Sequence, residues 1–242
     1  MFYSIFKKEI SSFFSSLTGY LVIGVFILAI NLMLWVIPGT YNIIDSGYAQ
    51  LNGLFELAPW LFLFLCPAVT MRAIAGEKLD HTWDLLISKP TSITKIVLAK
   101  YFASLLLVVL ALLPTLISLI SVYHIAEPVG NVDLGAFWGS FLGLILLAAV
   151  YLAIGVFASA LSNNQVFAFI LALSMSFFLY YGLDLIALFF HSGAKMSSIQ
   201  NLGMHAHYTS ISRGVIDSVD ILYFLTVGIL CLYLTVKKLS IK

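Results

Sequence analysis

Six runs in this chain are each long and apolar enough to cross a bilayer, and no other feature constrains its folding as strongly. A crossing takes about 20 apolar residues at roughly 1.5 Å rise each. The runs lie at about 18–37, 54–71, 101–123, 136–160, 166–183 and 220–236. In hydrocarbon a lone segment must satisfy its backbone N–H and C=O groups internally, so runs of this length become helices. The expected fold class is all-α integral membrane, with six transmembrane helices. Composition agrees: only 10% of residues are charged and 62% are hydrophobic, whereas a soluble domain is about a quarter charged. Pro38-Gly39 closes the first run, Pro59 and Pro67 are expected kinks in the second, and Pro114 interrupts the third.

Charge sets the orientation. Six spans put the N-terminus, the 72–100 loop, the 161–165 turn and the C-terminus on one side. Ten of the twelve basic residues fall there, leaving only Lys195 and Arg213 opposite. The positive-inside rule then places both termini in the cytoplasm. The first run is too long for a signal-peptide core and no small-residue cleavage site follows it, so no cleavable signal is expected. A net charge of +1 gives no argument for a nucleic-acid partner. Cys66 and Cys231, both inside apolar runs, read as small buried hydrophobes.

Two segments outside the spans have patterns of their own. Residues 1–17 place Phe2, Phe6, Ile10 and Phe13 at helical spacing, with Lys7 and Lys8 on the other face. That describes an amphipathic helix in the membrane interface, in contact with lipid. Residues 184–219 are long for an outer loop, and "LDLIALFF" is about half a membrane thick. They are expected to form a re-entrant helical hairpin: a half-helix leaving the fifth span near Gly182 and a returning helix around 207–219. Asp184 would then cap a helix at the break. His191, His205 and His207 raise the question of a metal, but imidazoles alone rarely identify one, so solvated or capping histidines are expected.

Several chemistries have no signature here. No G-x-x-x-x-G-K-[ST] occurs, so ATP is not held by a P-loop. No catalytic constellation, no H-E-x-x-H and no cofactor motif is present, and the chain does not read as an enzyme. Inverted repeats and buried ionisable pairs, which a secondary transporter would use, are not evident.

The stretch "GEKLDHTWDLLISKP", 76–90, gathers five of the 23 charges between two apolar runs. Its pattern fits a helix of about three turns. Glu77, Asp80 and Asp84 would form a polar rim and Trp83, Leu86 and Ile87 an apolar patch, with Thr82 between. Such a helix could dock a soluble partner or rest on the membrane surface, and the pattern alone suits both.

The wider segment "MRAIAGEKLDHTWDLLISKPTSITKIVLAKYFASLL", 71–106, resembles the hallmark of ABC-2 type permeases. In that family M-R-x-x-x-x-E-(K/R)-x-x-x-T-x-(E/D)-L-L-x-(S/T)-x-P precedes the third span. Met71, Arg72, Glu77, Lys78, Thr82, Asp84, Leu85, Leu86, Ser88 and Pro90 stand in those places. A glycine-threonine pair is more usual where His81-Thr82 stands. "FASALSNNQVFAFI", 157–170, resembles the family's turn between spans four and five. "HAHYTSISRGVIDSVDILYFL", 205–225, is similar to the outer segment of gliding-motility-associated permease subunits of that family. The resemblance covers the whole chain and implies one permease domain over 1–242 in a bacterial inner membrane. It implies that 76–90 is a coupling helix seated in a separate cytoplasmic ABC ATPase. It also implies a second permease copy or permease-like subunit. The alternative is a non-transporting scaffold or motor anchor that transmits ATPase strokes.

Overall fold

In the computed structural model, which describes residues 1–190 and 193–240, helices form every regular element among the described residues. Helix α1 (Phe2–Phe14) precedes the first span, α2 (Leu17–Asn31), which widens into a π-turn at Leu32–Val36. A short α3 (Ile43–Ser46), capped by Asn42, leads into the second span, α4 (Asn52–Thr70). Two single-turn helices follow, α5 (Ala75–Leu79) and α6 (Trp83–Ile87). The third span is α7 (Ile93–Leu112) and α8 (Thr115–Ile125), parted at Pro114, which has no amide proton to continue the ladder. The fourth is α9 (Leu134–Leu161), capped by Asp133. The fifth is α10 (Gln165–Phe177), a π-turn at Phe178–Gly182 and α11 (Leu183–Ala187). Then come α12 (Gly193–Gln200), α13 (Met204–Ile211) and the sixth span, α14 (Ser218–Ser240).

By length and apolarity, six helical stretches can cross a membrane. We call the end carrying α1 and the close of α14 the inner end, and the opposite one the outer end. The helix of the third span starts at Ile93, and Lys100 within it is paired and buried. The fifth helix does not break at Gly182. Its backbone passes through the π-turn into α11.

Helix α9 is the hub. Its most apolar stretch is 72% buried against 22% for those of spans one and five and 28% for that of span six, so these three are the least buried spans. Spans two, three, five and six all pack on it. Lipid tails are as apolar as leucine, so close packing, with small residues at the contacts, holds such helices together. Gly155 of α9 shows how close: a Cβ there would lie 2.0 Å from Thr70 Oγ1. Gly214, at φ +84°, lets the chain turn after α13 directly against Ala136 at the start of α9.

At the outer end α13 is tied to spans five and six by histidine–carboxylate pairs. His205 Nδ1 lies 2.7 Å from Asp184 Oδ2, and His207 Nδ1 lies 2.6 Å from Asp220 Oδ1. His207 also meets the Asn201 carbonyl through Nε2 at 2.9 Å and stacks on Tyr223. Tyr208 donates to the Phe55 carbonyl at 2.6 Å. Burial pushes its phenol well above the usual tyrosine range, with Tyr180 and Glu56 adding to the shift. These histidines are therefore structural ties, where the sequence suggested solvated or capping groups. Among the described residues no group of three or more potential ligands could hold a metal. His191 lies outside the described residues. Cys66 and Cys231 are both free and buried.

Candidate coupling site

The segment between spans two and three is two helices, not one of three turns. The physical cause is His81. It adopts φ +55°, the left-handed conformation that ends a right-handed helix. The Thr82 amide donates back to the Glu77 carbonyl at 2.9 Å and the His81 amide to Lys78 at 3.3 Å. Together these form a Schellman close to α5, with a histidine where glycine is the usual residue. The chain restarts as α6 at Trp83 in a new direction.

That turn reverses the expected role of the apolar face. Trp83 is only 3% exposed and packs with Ile5, Ile74, Ile96, Val97, Val156 and Leu239. Its indole thus joins α1, the foot of span three and the inner ends of spans four and six. It cannot form an exposed docking patch, as the amphipathic pattern suggested. Leu86 also turns inward, half-buried against the same cluster. Outside lie Asp80, Thr82 and Asp84, with Leu79 at 55%, Leu85 at 67% and Ile87 at 36% exposure. The amphipathic pattern of the sequence does not place Leu79 or Leu85 in the apolar patch. A hollow of about 340 Å³ adjoins this face, lined by Lys78, Leu79, His81, Trp83, Asp84 and Asn163.

Glu77 is not part of an exposed rim either. Its Oε1 lies 3.0 Å from Lys8 Nζ and its Oε2 lies 3.0 Å from Lys100 Nζ. Lys100, 1% exposed, also pairs with Glu9 at 2.6 Å. Two ammonium groups and two carboxylates are thereby closed into a set with no net charge, joining α1, α5 and α7. A buried ion needs such partners, because desolvating it alone costs several kcal/mol. The amphipathic pattern of the sequence does not single out Glu9 or Lys100. A lysine inside the apolar run 93–112 was the available signal, since an ionisable group in a span needs a named partner.

Neutral bonds complete the clamp. The first amides of a helix lack intrahelical acceptors, and at α5 Ser159 Oγ supplies one. It accepts from Ile74 N at 3.0 Å and Ala75 N at 2.9 Å, and donates to the Met71 carbonyl at 3.2 Å. Lys78 reaches the Ala160 carbonyl. Arg72 donates to Gln165 at 3.2 Å and to Thr18 at 3.3 Å, bridging the inner ends of spans five and one. Asn164 caps α10 through the Val166 and Phe167 amides.

In α1, Ile5 is buried and Phe6, Ile10 and Phe13 are half-buried, whereas Phe2, Lys7 and Lys8 are exposed. The helix packs along α7 and α2. Ile5, which sits directly in the Trp83 cluster, did not stand out in the sequence pattern.

A bundle of six potential spans, with a clamped pair of short helices between the second and third, defines a polytopic helical membrane component. Residues 37–236 match the family described as ABC-2 family transporter protein, 200 of the 242 residues, and the chain belongs to that family. It is therefore a permease-type membrane component. A search of curated proteins finds no match.

Proposed function

We propose that this chain is the permease subunit of an ATP-driven exporter, and that a separate cytoplasmic ABC ATPase docks on the outward face of α5 and α6. One observation carries this reading. The segment presents Leu79, Leu85 and Ile87 beside Asp80 and Asp84, while its inner side is fixed by Trp83, Ser159 and the Lys8–Glu77–Lys100–Glu9 pairs. An apolar patch edged by acids is a surface a soluble partner can cover. A clamped segment moves with α1 and span three and does not flex on its own, so a push on it reaches the bundle. With no P-loop in this chain, ATP hydrolysis comes from the partner.

The assembly takes a second permease copy or permease-like subunit, supported by the low burial of spans one and five. It sits in a bacterial inner membrane with both termini cytoplasmic, supported by the ten-to-two split of basic residues. In this placement α1 is the interfacial helix, and its exposed Phe2 and Lys7 meet lipid. Helices α12 and α13 lie at the outer end between spans five and six. A place in gliding-motility machinery rests on the likeness of 205–225 alone, and the force-transmitting scaffold is its natural variant.

The test is to isolate the tagged protein from its native membranes and assay the bound fraction for ATP hydrolysis. An ATP-hydrolysing subunit bearing a P-loop is expected in it. Its absence under mild solubilisation, with the permease itself intact, would contradict the proposal.

A further inference from the structure

The outer end holds a cleft of about 410 Å³ between the first turns of α4 and α9 and the end of α13. Phe55 and Phe137 are among its apolar lining residues, their ring centroids 5.5 Å apart. Most polar groups around it are already engaged. Asn52 Nδ2 donates to Gln50 Oε1 at 2.9 Å, and Ser140 Oγ donates to the Ser212 carbonyl at 2.8 Å. The Thr209 hydroxyl donates to the His205 carbonyl, and Asp133 Oδ1 accepts from the Ala136 amide at 2.9 Å.

Two groups differ. Glu56 and Arg213 both line the cleft, and among the described residues neither side chain has a hydrogen bond or an ion pair. The Arg213 guanidinium thus shares one small space with the Glu56 carboxylate and with the charge of Asp133, and no ion pair joins them. Glu56 lies four residues into α4, about 6 Å below its start at ~1.5 Å per residue. With the start of α4 set at the membrane surface, that depth falls among the head groups.

We propose that this cleft binds the zwitterionic head of an amphiphile that carries a primary ammonium and a phosphate. The ammonium donates hydrogen bonds to the Glu56 carboxylate, which can only accept. The Arg213 guanidinium takes the phosphate through its fork of parallel N–H donors. The carbon portion next to the head lies on Phe55 and Phe137, continuous with the bilayer. A purely anionic head satisfies Arg213 and leaves Glu56 unpaired, so the site discriminates between the two by charge. The inference goes beyond the permease reading and requires only the fold and its place in a bilayer.

The test is native mass spectrometry of the full-length protein released from micelles holding equal amounts of phosphatidylethanolamine and phosphatidylglycerol. Wild type is expected to retain phosphatidylethanolamine about tenfold over phosphatidylglycerol, the scale one charge-assisted hydrogen bond sets. Glu56→Gln should abolish the preference, and Arg213→Gln should lower retention of both lipids. Asp217→Asn, exposed and outside the cleft, should behave as wild type. Displacement by free phosphoethanolamine would identify a soluble ligand with this head. Failure to displace would identify the lipid, and either result supports the head-group chemistry. Equal retention of both lipids by wild type, or an undiminished preference in Glu56→Gln, would overturn it. Loss of ATPase docking would leave these outcomes unchanged, so the two proposals fail separately.

Discussion

At the inner end, Lys8, Glu9, Glu77 and Lys100 close on one another, while at the outer end Glu56 and Arg213 face one cleft and touch no partner. Both ends place charge beside apolar spans, and the difference lies in whether that charge is already answered. A closed set around a buried lysine holds elements together and leaves nothing for a ligand. An open pair on an exposed wall contributes little to folding and remains available. The inner end accordingly reads as a joint through which force passes, and the outer end as a place where something binds.

Removing Lys100 is the most severe way to break this contrast. Lys100→Met leaves Glu9 and Glu77 without their shared buried cation, and loss of one partner of such a set costs about 3–5 kcal/mol. A large drop in the melting temperature of the detergent-solubilised protein is expected. Adding Glu9→Gln and Glu77→Gln should recover much of it, because no buried charge is then orphaned. If Lys100→Met melts like wild type, the closed set is not structural.

Trp83→Ala comes next. It empties the cluster that joins α1, α6 and spans three, four and six, at a cost of about 3 kcal/mol for a buried aromatic. Proteolysis within 75–90 should accelerate in this variant. An unchanged digestion pattern would mean that Trp83 does not anchor the segment.

His81→Gly has the opposite sign. Glycine takes the left-handed conformation without the steric cost of a Cβ, so stability should rise by about 1 kcal/mol. Lower stability in this variant would contradict the assigned turn. Smallest of all, Glu56→Gln and Arg213→Gln should each shift stability by no more than about 0.5 kcal/mol, as exposed substitutions usually do. A loss comparable with that of Lys100→Met would remove the distinction between the two ends.

These particulars also show what the sequence could reveal. Hydropathy identified six spans, and Pro114 marked the break in the third, because both are properties of consecutive residues. The site was legible in location but not in facing. An amphipathic pattern says that Trp83 and Leu86 share an apolar side, and says nothing of whether that side meets a partner or the chain's own core. Only the fold, which brings Ile5, Val156 and Leu239 into one buried cluster with Trp83, decides that. Lys100 was missed for the same reason, since Glu9 lies 91 positions away. His81, by contrast, was visible as the residue standing where the resembled family more often has glycine, and the left-handed turn is the physical counterpart of that substitution.

The central claim is that the outward face of α5 and α6 receives an ATPase, and Leu85 tests it most directly. At 67% exposure it touches little of its own chain, so Leu85→Asp should leave the fold intact while placing a charge in the docked interface. The measurement is the amount of ATP-hydrolysing subunit that co-purifies with wild type and with Leu85→Asp, at matched permease recovery and melting temperature. The account predicts that the partner is lost, by about tenfold or more, from a variant that melts as wild type does. Undiminished co-purification with Leu85→Asp would contradict it.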